Sequence, residues 1–340
     1  MFKTATFVLT GLLIAGSLPN AAAQIPAQTL VVVDTALNVE QSVLAQNIVH
    51  EVCILEWSVC PNGTKFMEGS GAASLPSNFI SSNGFDHGRN MVSAAVKTYP
   101  GLQIVFIRVV GNSSTGSRLN VSQQTIALVL KWVSDNKSRF NIAAVAMSQG
   151  HHGVSTLTRY CPRESMVENM VKQLRDDGVP FFVPTGNSRD YDRIDWPACI
   201  PESISIAGLT ESRSIASYSN LDNALTDYFE VGKIKVLDAN NKEIDFEGTS
   251  VSVQVAAAKW MKLRGIYPNL TTDELFQKLD QSTTLVSNHK IEAGKAFPMD
   301  IRNPDEEITI QSGLLELNQL RYDLAKLYDI IRELLLSIKR

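Results

Sequence analysis

A chain of 340 residues with 44% apolar side chains has room for one large packed domain and the composition of a globular protein. Its net charge of -4 is small, and no basic run interleaves with aromatics, so neither nucleic acid nor an anionic membrane surface is indicated as a partner.

Met1-Phe2-Lys3, an apolar run from about residue 5 to 15, and Ala21-Ala22-Ala23 before Gln24 follow the charge, core and small-residue order of a secretory signal peptide. The apolar run is too short to span a bilayer, which takes about 20 residues. Residues 1–23 are therefore expected to be removed on export, which makes the product secreted or periplasmic. Export makes the four cysteines readable as two disulfides. Three pairings are possible; Cys53 with Cys60 and Cys161 with Cys199 is preferred, and no Cys-x-x-Cys spacing suggests a zinc site.

Thr29-Leu30-Val31-Val32-Val33 reads as a buried parallel strand ending at Asp34-Thr35-Ala36. A carboxylate at that end sits where open α/β sheets place chemistry, although a lone Asp also caps turns. The stretch up to Gly84 carries only mixed short segments. Gly84-Phe85-Asp86-His87-Gly88-Arg89-Asn90-Met91 then leads into a helix with small residues, with His87 at its start. Strands and helices alternate over 102–110, 121–138, 142–147, 164–177, 179–184 and 203–209, the pattern of a mainly parallel sheet covered on both faces. Gly186-Asn187 follows the 179–184 strand and reads equally as a turn or as an amide delivered into the same crevice as Asp34.

Residues 227–238 and 243–246 read as two strands joined by Ala239-Asn240-Asn241. Gly248-Thr249-Ser250 then runs into an alanine-rich helix. A serine there meets free N-H groups and the positive end of the helix dipole; alternatively, Thr249 or Ser250 is an ordinary N-cap. A second helix over 271–279 opens with a capping box of Thr271 and Glu274. From Leu314 onward, Leu317, Leu320, Leu324, Leu327, Ile331, Leu334 and Ile338 recur at steps of three and four. That is a coiled-coil seam, expected to form a helix that docks on its own domain or pairs copies into a homo-oligomer.

Asp34, His87 and Ser250 occur in one of the orders known for the Asp-His-Ser triad, each at a strand end or helix start. The chemistry needs these types: a hydroxyl becomes nucleophilic when an imidazole takes its proton, a carboxylate orients that imidazole, and an amide donor holds the oxyanion. With Asn187 and two further segments, Met147-Ser148-Gln149-Gly150 and Trp196-Pro197-Ala198-Cys199-Ile200-Pro201, the stretch from about Leu30 to Leu285 resembles the subtilisin-like serine peptidases, or subtilases. The family patterns are Asp-Ser/Thr-Gly, His-Gly-Thr-His, Met-Ser-Leu-Gly, Gly-Asn, Tyr-Pro-Ala-x-Tyr-Pro, and Gly-Thr-Ser followed by small residues and a proline.

The resemblance implies Ser250 as nucleophile, His87 as general base and acid, Asp34 as its orienting partner and Asn187 as oxyanion donor. Ser148, Gln149 and Gly150 would present main-chain groups to an extended peptide or protein substrate. Here Ala36 replaces a glycine, Arg89 and Asn90 replace Thr and the second His, and no proline follows Ser250. The expected fold is a three-layer α/β/α domain over 24–311 with a mainly parallel central sheet, followed by a helical extension over 312–340. The expected function is serine endopeptidase activity through an acyl-enzyme, without cofactor or metal. The alternative is an inactive subtilase fold acting as a scaffold that assembles through its C-terminal helix. An α/β-hydrolase esterase lacks support, because Ser250 is not in a Gly-x-Ser-x-Gly elbow and the triad order differs.

Overall fold

In a computed structural model of the chain, residues 27–38, 42–76, 84–151, 166–288, 291 and 293–301 are described. The expected signal peptide, Cys161 and the 312–340 helix lie outside them. Strands β1 (Thr29–Asp34), β2 (Ile48–Ile54), β3 (Phe66–Glu68), β4 (Gln103–Arg108), β5 (Ile142–Met147), β6 (Phe181–Pro184), β7 (Ile204–Leu209), β8 (Tyr228–Val231), β11 (Thr284–Val286) and β12 (Gly294–Ala296) form one sheet. Its order is β11-β12-β8-β7-β6-β5-β1-β4-β2-β3. Every pairing from β12 to β2 is parallel, and antiparallel β11 and β3 close the two edges.

Strand alternation divides the core. Leu30 and Val32 face one side with Ile104, Phe106, Ala144 and Ala146. Val31 and Val33 face the other with Val105, Ile107, Val145 and Met147. Helices α1 (His87–Thr98), α4 (Thr249–Ile266) and α5 (Thr272–Ser282) cover the first face, while α2 (Gln123–Asn136) and α3 (Met166–Asp176) cover the second. The result is the three-layer α/β/α arrangement expected from the alternating pattern. The Thr271–Glu274 capping box also forms: the Thr271 hydroxyl accepts from the Glu274 N-H while the Glu274 carboxylate accepts from the Thr271 N-H at 2.7 Å.

α4 is buried around almost its whole circumference, from Val251 through Met261. Such a helix has to be apolar on every side, and Val251, Val253, Val255, Ala256, Ala257, Ala258 and Trp260 meet that demand. Ser252, Gln254 and Lys259 are the polar exceptions, and Lys259 is the charged one. Its ammonium donates to Glu230 Oε2 at 2.6 Å and to the Pro298 carbonyl at 2.7 Å. Burial pushes the Glu230 carboxyl above its ordinary value, and the neighbouring Lys259 charge pulls it back.

One strand expectation is corrected. Residues 227–238 do not form a single strand: β8 ends at Val231, and β9 (Lys233–Leu237) leaves the main sheet to pair antiparallel with β10 (Glu243–Glu247). The break falls at Gly232, where a Cβ would collide with the Tyr218 hydroxyl and stand 2.8 Å from Ser252 Oγ. The Cys53–Cys60 disulfide forms as expected. Cys199 is disulfide-bonded too.

Breaking the buried ion pair on one side gives a test of α4 docking. Lys259→Met should destabilise the protein by about 3–5 kcal/mol, because it strands a buried carboxylate. The double change Lys259→Met with Glu230→Gln should recover part of that loss in urea unfolding.

Candidate active site

Asp34 ends β1, Ser148 and Gln149 follow β5, and Asn187 follows β6, so all four lie at the carboxyl ends of adjoining parallel strands. β1 has β4 on one side and β5 on the other, although β4 and β5 are consecutive strands; the connection between them therefore crosses β1. The crevice opens where this crossover leaves the strand ends uncovered.

Asp34 is fully buried. Its Oδ1 accepts from the Thr35 N-H at 2.6 Å and the Gln149 amide at 3.1 Å, and it lies 2.8 Å from His87 Nδ1. Thr35 brings the two motif segments together: its hydroxyl donates to the Phe85 carbonyl and accepts from the Gly88 N-H, both at 2.8 Å. His87, the first residue of α1, is thereby fixed beside β1. The edge of its ring meets Phe246 with 5.7 Å between centroids, so β10 supports the imidazole from the side of the α4 entrance. An imidazole whose Nδ1-H is held by a carboxylate keeps Nε2 available to take a proton.

Gly248, with φ 147°, is the N-cap of α4, so Thr249 and Ser250 are its first two helical residues and neither is a side-chain cap. Ser250 is half-buried, and its carbonyl accepts from the Ser148 hydroxyl at 3.1 Å. That hydroxyl accepts from the Gln254 amide at 2.9 Å. Among the described residues no hydrogen bond joins the Ser250 hydroxyl to His87.

Asn187 Oδ1 accepts from the Thr249 N-H at 2.9 Å and the Thr249 hydroxyl at 3.0 Å. A backbone N-H can only donate, so the oxygen end of the amide faces α4 and the NH2 end is left to donate elsewhere. Asn187 itself is exposed. Its loop is shaped by Gly186, with φ 106°, where any Cβ would collide with the Asp195 carboxylate and the Asn220 amide. Asn220 is fully buried. It accepts from the Ser188 and Asp190 N-H groups at 2.8 and 3.0 Å and donates to Asp195 at 2.9 Å.

A family model described as the subtilase family matches residues 28–296. The chain belongs to the subtilase family. Among curated proteins, none matches it. Solved structures resemble it at low identity. "S41 Psychrophilic Protease" is 16% identical with a TM-score of 0.61, over 81% of this chain and 92% of that one. A "cold adapted subtilisin-like serine proteinase" is 20% identical with a TM-score of 0.59, over 81% and 89%. "Prenylagaramide maturation protease PagA" is 15% identical with a TM-score of 0.57, over 78% and 86%. These likenesses establish a shared fold.

In this subtilase two departures from the family pattern fall inside a helix, where Arg89 Nη1 and both polar side-chain atoms of Asn90 are buried without a hydrogen-bond partner among the described residues. Arg89 and Asn90 are buried in an unbroken α1. Burial pulls the Arg89 guanidinium below its ordinary value, with Asp86 and Asp238 acting against that. Gln254 lies where the pattern has small residues and a proline, and it bonds to Ser148 instead. Neither Gln254 nor the Gln149 side chain was singled out by sequence reasoning. The one available signal was that glutamine stands where the subtilase pattern has apolar or small residues.

The loop that carries Asn187 should depend on Asn220. Asn220→Ala leaves two backbone N-H groups without their acceptor and should cost about 3 kcal/mol of unfolding free energy in chemical denaturation. A variant as stable as the parent would show that the loop holds its shape without this side chain.

Proposed function

We propose that this subtilase is an exported serine endopeptidase. In this reading Ser250 attacks the scissile carbonyl, His87 takes and returns the proton, and Asp34 orients and stabilises the imidazolium. Asn187 Nδ2 and the Ser250 N-H hold the oxyanion. The observation that carries the proposal is the 2.8 Å contact between partly exposed His87 and buried Asp34 beside the N-terminus of α4, with Asn187 anchored to Thr249 one residue before the serine. The positive end of a long buried helix favours charge developing at that point. The reading includes removal of residues 1–23, a catalytic domain over 24–311, and an extended peptide lying along the main chain of Ser148, Gln149 and Gly150.

A second reading, a non-catalytic subtilase that binds partners and assembles through the 312–340 helix, is favoured by one observation. The Ser250–His87 hydrogen bond is not formed among the described residues. Catalytic hydrogen bonds often tighten only when substrate is bound, so the peptidase remains the better account.

Labelling separates the two. A fluorophosphonate probe should modify Ser250 in the purified protein, and His87→Ala should suppress the modification. Ser250→Ala should abolish both labelling and peptide cleavage. Asn187→Ala should retain the nucleophile and base yet lose roughly a hundred- to a thousandfold in turnover. Folded protein that takes up no probe and cleaves no peptide from acid to alkaline pH would replace the peptidase with the scaffold.

A further inference from the structure

The Gln149 side chain spans the distance between the solvent-exposed surface and the buried acid. At its inner end Nε2 donates to Asp34 Oδ1 at 3.1 Å, and at its outer end Oε1 accepts from Arg118 Nη2 at 3.0 Å. The two contacts fix the amide's orientation from both sides, since a guanidinium can only donate and a carboxylate only accept. Arg118 is itself placed by the backbone bridge between Asn112 and Arg118. Its aliphatic stem passes close to Gly84, at the start of the segment leading to His87.

Asp34 has no exposure, so its charge relies on protein donors. Thr35 N-H is fixed by the chain, and His87 changes its own charge during the proposed reaction; Gln149 is the neutral side-chain donor on the same oxygen. Asp34 Oδ2 is buried without a donor among the described residues, and the Thr35, His87 and Gln149 contacts all fall on Oδ1. The leucine of the Met-Ser-Leu-Gly pattern has no side-chain N-H to donate there.

We infer that Gln149 is a positioning residue for this reaction: its side chain holds the Asp34 carboxylate in line with His87 and is itself held by Arg118. The inference rests on the peptidase reading for its kinetic consequences but not for its geometry. Its chemical content is charge balance. The amide donor offsets part of the carboxylate's negative charge, so removing it should favour the imidazolium over the neutral base. Charged residues on the elements packed against the pair are Asp86 and Arg89 next to His87 in the chain, Asp245 and Glu247 flanking Phe246 on β10, and Arg108, which stands opposite Asp34 in the β1–β4 register. The Arg108 guanidinium is turned away to the Val110 and Ser74 carbonyls and to Asn112 Oδ1.

Gln149→Leu keeps the main chain that would meet the peptide and deletes only the amide. It should lower kcat about tenfold with KM within about twofold, and move the acid limb of the pH–rate profile alkaline by about half to one pH unit. Gln149→Glu adds a negative charge beside Asp34 and should move that limb further in the same direction. Arg118→Met, on an exposed side chain, should produce a smaller displacement and serves where a Gln149 variant folds poorly. NMR titration of the His87 ring reads the same displacement without turnover. Equal titration midpoints in the parent, Gln149→Leu and Arg118→Met proteins would overturn the inference. A parent protein inert to fluorophosphonate whose His87 midpoint still moves in Gln149→Leu would overturn the peptidase reading and leave the positioning role standing.

Discussion

A carboxylate without solvent exposure needs protein donors, and the burial of Asp34 draws them to its Oδ1 from three stretches of chain. Thr35 meets that need from the same turn, His87 from the start of α1, and Gln149 from the end of β5. Leaving such a group unpaired costs several kcal/mol, so the ordering of these segments is coupled through one oxygen atom. The coupling continues through Thr35, whose hydroxyl stitches the 85–88 segment to the end of β1. Proximity of Asp34 and His87 is thus a consequence of how the sheet buries its central strand.

The serine is positioned by a different physical means. α4 runs through the domain interior, so its direction is set by packing on β5, β6, β7 and β8, and its first turn cannot tilt without disturbing that core. What remains adjustable is the loop in front of it. There Asn187 grips Thr249, and Asn220 in turn grips the Asn187 loop. A buried asparagine satisfying two backbone N-H groups substitutes for regular secondary structure where Gly186 must adopt a positive φ.

Legibility in the sequence follows burial. β1 and β5 were readable because each is covered on both faces, which leaves a continuous apolar run with sharp ends. β2 was missed because its first four residues are partly exposed, and Phe66–Glu68 because three residues at a sheet edge carry no periodicity. The fusion of β8 with β9 has a related cause: Tyr228, Phe229 and Val231 in the first and Ile234 and Val236 in the second read as one run of strand-forming residues, broken at crowded Gly232. Asp34, His87, Asn187 and Ser250 stood out through their order and their neighbours. The side-chain contacts that hold them did not: Thr35 and Gln149 belong to recognisable motifs without revealing what their side chains bond, and Asn220 and Gln254 are ordinary polar residues until the fold aligns them.

The end of β5 is where the departures from the subtilase pattern become intelligible together. Ser148 and Gln149 are consecutive, so in an extended chain their side chains point to opposite sides. One reaches Ser250 through its carbonyl and Gln254, and the other reaches Asp34. A single two-residue segment therefore braces the helix that carries Ser250 and the strand that carries Asp34 at once. Gln254 contributes to the first brace from a position where a proline, having neither an amide side chain nor a backbone N-H, could not. Gln149 supplies the second where a leucine could not. The two glutamines thus place side-chain hydrogen bonds at the same junction. A junction built from hydrogen bonds fixes distance and direction more narrowly than apolar packing does, and it leaves a penalty for any rearrangement that opens one of them.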